Sequence, residues 1–420
     1  MARIRFNTDT FCDKVAELVG FLEPRFIGQP RAIQRVAVAY NYFLSPIWLP
    51  ERPIISLLGL GPSGSGKTLL AKLLAEFFLG TRDAFTKVAC QNYTESHELA
   101  TLLGSPPGYV GYSDPREADN PPLLHQTMVD RWARVQFVKS DQRAAEMNAE
   151  LKKLIEKQKV VYNAGDREGF YEIYQKGGRL QYELEHYIAA AMVKPISVIL
   201  WDEIEKSHET VRNALLEVTE EGRVQLKNGE ETKLFGSFNI MTSNVGSRSI
   251  ADAMRGRVPP GFRAQESGSG NTEDAVYLLA MAELEKVFRP EFIGRIKENM
   301  VVFRPLLEKE FVQILGAELE QFWARLKGVF PLEIEVDEQV QKFVIDKATD
   351  HPQYGARLLK DKIKRYIVDP LAVAMNSGEV GTGDRVFVLL EGEKVVFEKE
   401  SGIVPVVVDI APEPKEGTGE

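Results

Sequence analysis

The sequence predicts an α/β fold: a large domain built on a parallel sheet, then a smaller helical domain ending in a β-hairpin. Three observations predict it. The apolar run Ile54–Leu60 leads through a glycine loop, Gly61–Thr68, into the helical stretch Leu69–Phe78. Two further apolar runs, Ile196–Trp201 and Phe238–Thr242, end in polar residues, as buried parallel strands do at their carboxyl ends. From Pro305 to about Gly378 the apolar spacing is helical, after which Arg385–Leu390 and Lys394–Phe397 flank the turn Glu391-Gly392-Glu393.

The bulk numbers bound the answer. A chain of 420 residues is long enough for two or three domains with their own cores. With 44% hydrophobic and 27% charged residues it reads as soluble and globular. No stretch approaches the ~20 apolar residues of a membrane helix, and no apolar run follows Arg3 and Arg5, so neither a signal peptide nor a membrane partner is expected. Cys12 and Cys90 are the only cysteines, which fits a reducing, cytoplasmic setting, and no Cys/His cluster has zinc spacing. A formal net charge of −9 argues against a nucleic-acid partner.

The elements follow in order. Phe11, Val15, Leu18, Val19 and Leu22 recur at helical spacing and predict a short amphipathic helix within residues 1–25. The large domain is expected over 26–304, closing on the strand Met300–Phe303. Its glycine loop, Gly61, Pro62, Ser63, Gly64, Ser65, Gly66, Lys67 and Thr68, matches G-x-x-x-x-G-K-[ST]. Glycines let backbone N–H groups approach phosphates, and the helix N-terminus adds partial positive charge. Together with Leu69 these residues are expected to hold ATP, Lys67 reaching the β- and γ-phosphates and Thr68 ligating Mg²⁺. Asp202 and Glu203 close the run Ile196–Trp201, where a Walker B motif belongs. Asp202 would serve the nucleotide's Mg²⁺ and Glu203 would act as general base on the attacking water. The run Phe238–Thr242 leads to Ser243-Asn244, where a polar side chain can position that water.

Six ordered motifs now carry a resemblance. They are Gly61–Thr68, Gly104–Tyr112 (Gly-Ser-Pro-Pro-Gly-Tyr-Val-Gly-Tyr), Asp202–His208, Met241–Ser247, Phe288–Ile296 and Tyr354–Arg357. In this order they resemble the second ATPase module of Clp-type AAA+ protein unfoldases, from about residue 20 to about residue 395. The resemblance implies a hexameric ring of AAA+ large domains with helical lids that hydrolyses ATP and threads polypeptide through its pore. It implies Ile27 beside the adenine, Asn244 as sensor 1, Arg295 as an arginine finger toward a neighbour, and Arg357 as sensor 2 on the lid. Tyr109 and Val110 would grip substrate as the pore loop. Gly261 and Phe262 would dock a Clp-type peptidase, although Pro260 stands where that tripeptide has an aliphatic residue. Two versions therefore stay open: the ATPase subunit of a protease, and a standalone remodelling chaperone. Lys297 after Arg295-Ile296, Gln91-Asn92-Tyr93, and Trp201 before Asp202 also depart from the family pattern. The family's N-terminal substrate domain and first ATPase module have no counterpart here, which implies a single-ring machine.

One interruption, about 128–193, has no equivalent length in the family. Met147, Leu151, Leu154, Gln158 and Val161 step by four and three, as do Phe170, Ile173, Gly177, Leu180, Leu184 and Tyr187, with the breaker Asn163–Asp166 between. Two helices and a turn make a helical hairpin, either extra packing on the large domain or a docking arm for a substrate or adaptor. The small domain is expected over 305–400, and 401–420, charged and rich in Pro and Gly toward its end, as a disordered tail.

Overall fold

A computed structural model describes residues 11–95, 98–105, 121–192, 194–254, 272–350 and 355–400. Helices α1 (Asp13–Leu22) and α2 (Pro30–Leu44) precede strand β1 (Ile55–Leu60). The chain continues through α3 (Lys67–Leu79), β2 (Thr86–Ala89), α4 (Leu99–Leu103), α5 (Gln126–Ser140), α6 (Gln142–Asn163) and α7 (Arg167–Ala191). Next come β3 (Ser197–Asp202), α8 (Glu209–Glu221), the short pair β4 (Arg223–Gln225) and β5 (Glu231–Lys233), and β6 (Ser237–Ser243). Helices α9 (Ser247–Met254), α10 (Thr272–Glu285) and α11 (Pro290–Ile296) lead to β7 (Met300–Val302).

Strands β2-β3-β6-β1-β7 form one sheet whose pairings are all parallel. A parallel sheet must be covered on both faces, and β1 and β6 are buried along their whole length. One face packs on α1, α2 and α3 through Leu18, Val36, Leu70 and Leu74, and the other on α8, α10 and α11 through Leu215, Leu279 and Phe292. The registers Leu60↔Ser243, Trp201↔Met241 and Ala89↔Asp202 bring the carboxyl ends of four strands level. Loops leaving that edge at a crossover point are where α/β sheets hold ligands. Trp201, the unusual residue of β3, is fully buried and donates its indole N–H to Asn239 Oδ1 at 3.2 Å, while Asn239 donates to Ser237 Oγ at 2.7 Å. The larger ring is thus matched by a polar partner on the next strand, as a buried indole requires.

Residues 126–140 belong to the sheet layer rather than to the arm: Val129 and Ala133 of α5 are buried in the two main cores. The arm is the antiparallel pair α6 and α7, with Asp141 and Asp166 capping their N-termini by accepting from Ala144 N and Gly169 N.

After β7 the chain forms α12 (Glu308–Val329), β8 (Glu333–Val336), α13 (Glu338–Thr349), α14 (Ala356–Ile363), a π-helical turn (Lys364–Val368) and α15 (Asp369–Asn376). The hairpin β9 (Arg385–Glu391) and β10 (Lys394–Lys399) completes it. Phe311, Leu315, Val344, Leu359, Ile367 and Phe397 anchor a separate core. Strand β8, not expected from the sequence, pairs parallel with β9, giving a three-stranded sheet.

Candidate active site

The glycine loop joins β1 to α3 at the level edge of the sheet. At Gly61 φ is +145°, and a Cβ there would stand 2.3 Å from the Phe303 carbonyl oxygen, so only glycine lets the loop turn off the strand. Lys67, the first residue of α3, is buried and turns its ammonium back over the loop. Its Nζ donates to Gly61 O at 2.6 Å, Pro62 O at 2.8 Å and Asn244 Oδ1 at 3.1 Å. Burial pushes Lys67 down from 10.5 to about 8, against the upward pull of Glu205, Asp202 and Glu203. A buried cation at the N-terminus of α3, held over its own loop by carbonyl oxygens, is a fit for phosphate.

Asp202 and Glu203 leave β3 beside it. Asp202 Oδ1 accepts from Thr242 Oγ1 at 2.7 Å, and Asp202 Oδ2 lies 3.2 Å from Lys87 Nζ. Glu203 is the only non-glycine residue with positive φ among those described, at 58°. Such strain costs on the order of 1–3 kcal/mol and concentrates at functional sites. Its N–H donates to the same Thr242 hydroxyl at 3.0 Å. Its carboxylate accepts from Asn244 Nδ2 at 3.1 Å and from Lys206 Nζ at 2.8 Å. Asn244 therefore touches both the general-base candidate and Lys67. Among the described residues no group of three His, Cys, Asp or Glu could hold a metal on its own. A hydroxyl at Thr68 and a carboxylate at Asp202 suit Mg²⁺, which keeps waters and takes its other ligands from phosphates.

Two residues of this site were not singled out from the sequence. Thr242 braces both acids. Glu205 accepts the Asn244 N–H at 3.1 Å, its other carboxylate oxygen is buried with no partner, and Arg212 donates to its carbonyl at 3.0 Å. The only available signal was a third acid two positions past Glu203.

The segment holding Ile27 is stapled to the loop. Gln29 Nε2 donates to Ser65 O at 3.2 Å and to Arg304 O at 2.9 Å, and Gln29 Oε1 accepts from Arg304 N. Ile27 lines a cavity of about 340 Å³ with Phe26, Ile33 and Gln313 of α12. Arg304 pairs with the buried Glu310, which also accepts the Leu307 N–H at 2.8 Å, fixing the chain where it passes into the small domain. Arg357 lies in the first turn of α14, whose leading residue Ala356 donates its N–H to Gly64 O at 3.2 Å. The lid thus rests on the glycine loop.

Arg295 is elsewhere. It lies in the last turn of α11 and binds α8, through Glu220 at 2.5 Å and the Leu216 carbonyl at 3.4 Å. Tyr109, Val110, Gly261 and Phe262 fall outside the described residues.

Residues 52–118 and 121–299 match the family model of the AAA domain (Cdc48 subfamily), and residues 306–388 match that of the C-terminal, D2-small domain of ClpB protein. The chain belongs to the Clp-type AAA+ ATPases. The chaperone protein ClpC2 of Oryza sativa subsp. japonica, chloroplastic, is 29% identical over 393 residues, 93% of this chain and 35% of that protein. The ATP-dependent Clp protease ATP-binding subunit ClpA homolog CD4B of Solanum lycopersicum, also chloroplastic, is 30% identical over 404 residues, 96% of this chain and 35% of that one. This chain therefore spans about a third of the length of these relatives. Among solved structures, closed-state Hsp104 with ATPγS and FITC casein superposes with a TM-score of 0.62 at 25% identity, covering 92% of this chain and 52% of that one. The Clp-type module thus carries, in α6 and α7, its own helical arm within the large domain. No helix among the described residues is long and apolar enough to cross a membrane.

Proposed function

We propose that this Clp-type ATPase assembles into a ring, expected to be a hexamer, that unfolds polypeptide by pulling it through a central pore. The observation that carries the reading is the division of the site. Lys67, Asp202, Glu203 and Asn244 converge on one edge, whereas Arg295 is held on α8 by Glu220. An arginine finger so placed serves a neighbour's nucleotide. Mg·ATP, when bound, supplies a phosphoryl group whose transfer to water drives the cycle. Thr68 and Asp202 would hold its Mg²⁺, and the loop from Gly61 to Leu69 its phosphates. Ile27 would sit beside the base, Glu203 would accept the proton of the attacking water, Asn244 would orient that water, and Arg357 would report occupancy to the lid. Tyr109 and Val110 would grip the chain being pulled. Two free cysteines, one buried, suit the cytoplasm as the compartment.

The test is subunit mixing. Arg295→Ala and Glu203→Gln rings should each be inactive, because a finger in trans is worth ~10³–10⁵ in rate. Mixed, they should regain ATPase activity where an intact finger meets an intact base. Mixed rings without any recovery would return Arg295 to a structural role.

Feeding a Clp-type peptidase through Gly261-Phe262 is the preferred version, in keeping with the name of the Solanum relative. Pro260 favours the other version, a standalone remodelling chaperone, since proline stiffens the loop the peptidase would have to seat. Phe262→Ala abolishing recovery of the barrel peptidase decides for the first.

A further inference from the structure

Among the described residues, the helical arm is anchored to the rest of the large domain at its base. Ala144, Leu184 and Ile188 are buried there against Phe137 and Met147. Arg143 lies 4.8 Å over the Tyr187 ring, and the Tyr187 hydroxyl donates to Asp141 at 3.2 Å. Helices of 22 and 25 residues reach roughly 33–37 Å at 1.5 Å per residue, so most of the pair projects beyond that anchor. A projecting arm of this kind ought to be polar, yet it carries Tyr162, Tyr171, Tyr174 and Tyr182 at 70%, 64%, 61% and 66% exposure. Three of them surround Phe170 at the turn: its ring lies 5.7 Å from Tyr162, 5.9 Å from Tyr171 and 6.3 Å from Tyr174, the last stacked at 16°. Stacking holds these rings in place and leaves their outer faces to solvent. Rigid, half-polar rings at low entropic cost are what binding surfaces are made of.

The charge of the same region is opposite to that of the molecule. Between residues 152 and 179 seven Lys and Arg meet four Asp and Glu, whereas the chain as a whole is at −9. The α6 lysines Lys152, Lys153, Lys157 and Lys159 are exposed and form no ion pair among the described residues. Beside the tyrosines, Gly177 and Gly178 sit within α7 where an added Cβ would meet nothing. Alanine would suit a helix better at both positions, and no packing among the described residues requires glycine there. A bare stretch of helix between Tyr174 and Tyr182 leaves room for another backbone to come close.

We propose that the distal half of α6 and α7 is a docking surface for an acidic, unfolded polypeptide segment, held by the tyrosine cluster and the α6 lysines. The proposal rests on reading the protein as a polypeptide motor and gives the arm its role: to capture an acidic stretch of the unfolded substrate. The lysines draw the segment in and set the salt dependence, and the rings supply the contact that survives once it is seated.

The test measures fluorescence anisotropy of the full chain with a short labelled peptide alternating Glu with Leu. A Gln-for-Glu isomer and a labelled oligothymidylate of equal length serve as comparison probes. The acidic peptide should bind at least about tenfold tighter than its Gln isomer. The triple variant Tyr162→Ser, Tyr171→Ser, Tyr174→Ser should lose about tenfold in affinity, as should Lys152→Glu with Lys153→Glu and Lys157→Glu. Basal ATPase and ring size should stay as in the parent. Equal binding of both peptides, preference for the oligonucleotide, or variants that bind as the parent does would overturn the assignment. So would a tyrosine variant that changes ring size, which would make the cluster a contact between subunits. Because ATPase activity is read in the same samples, a silent arm is distinguishable from a dead motor.

Discussion

At the scale of single residues, the site is organised by side chains that do no chemistry themselves. The Thr242 hydroxyl takes the Glu203 N–H and gives its proton to Asp202, so one group fixes both acids and stabilises the strained backbone at Glu203. Thr242→Val keeps the shape and removes both bonds. The expected result is a kcat lowered by about tenfold or more with ATP affinity nearly unchanged, since a hydrogen bond to a charged group is worth ~1.5–3 kcal/mol. Steady-state phosphate release and nucleotide titration separate the two. Lys67 makes a second prediction. In the nucleotide-free protein burial lowers it to about 8 from 10.5. Below pH 8 the ammonium is present to meet phosphate. Above it, ATP affinity should fall by up to tenfold per pH unit, with a proton taken up on binding. The sign for stability is opposite. The unfolded chain binds more protons between pH 8 and 10.5, so the empty protein gains stability as pH rises through that window. Calorimetric titration in buffers of different ionisation enthalpy reads the proton uptake. ATP affinity flat to pH 10 would contradict it.

Among the elements, the contact between the lid and the glycine loop is the most exposed to test. Gly355 adopts φ +53° and ψ −142°, and a Cβ there would stand 2.7 Å from the Gly64 carbonyl oxygen. Gly355→Ala should push α14 off the loop, break the Ala356 bond to Gly64, and weaken ATP binding by about tenfold or more. The lid's own core, built on Phe311, Leu315 and Leu359, should melt as before. Calorimetry beside an affinity titration reads both. The same scale shows what the sequence could disclose. Strands β1, β3 and β6, helix α3 and the β9–β10 hairpin were legible because each carries a long apolar run bounded by a glycine or acidic signal. The helical arm was legible from its three-four spacing and the breaker at Asn163–Asp166. Strand β8 was not, because Glu333–Val336 is half charged and is a strand only by pairing with β9. Lys67, Asp202 and Glu203 sit in motifs that are continuous in the chain. Thr242 and Glu205 act through neighbours brought close by the registry of β3 with β6, which no local pattern encodes.

For the whole molecule, the proposed ring would bring Arg295, held on α8 by Glu220, to a neighbour's nucleotide. ATPase activity per subunit should therefore rise with protein concentration until rings are complete. Tyr109 would then convert each turnover into a pull on substrate, and the arm would bring that substrate in. The most direct measurement of this account follows the fluorescence of a tagged green fluorescent protein, with a trap that keeps unfolded chains from refolding. Fluorescence should be lost with ATP, retained with ATPγS or with Glu203→Gln, and retained with Tyr109→Ala even though that variant hydrolyses ATP at the parent's rate. Loss of fluorescence at the parent's rate with Tyr109→Ala, or steady hydrolysis by the parent with no unfolding at all, would contradict it.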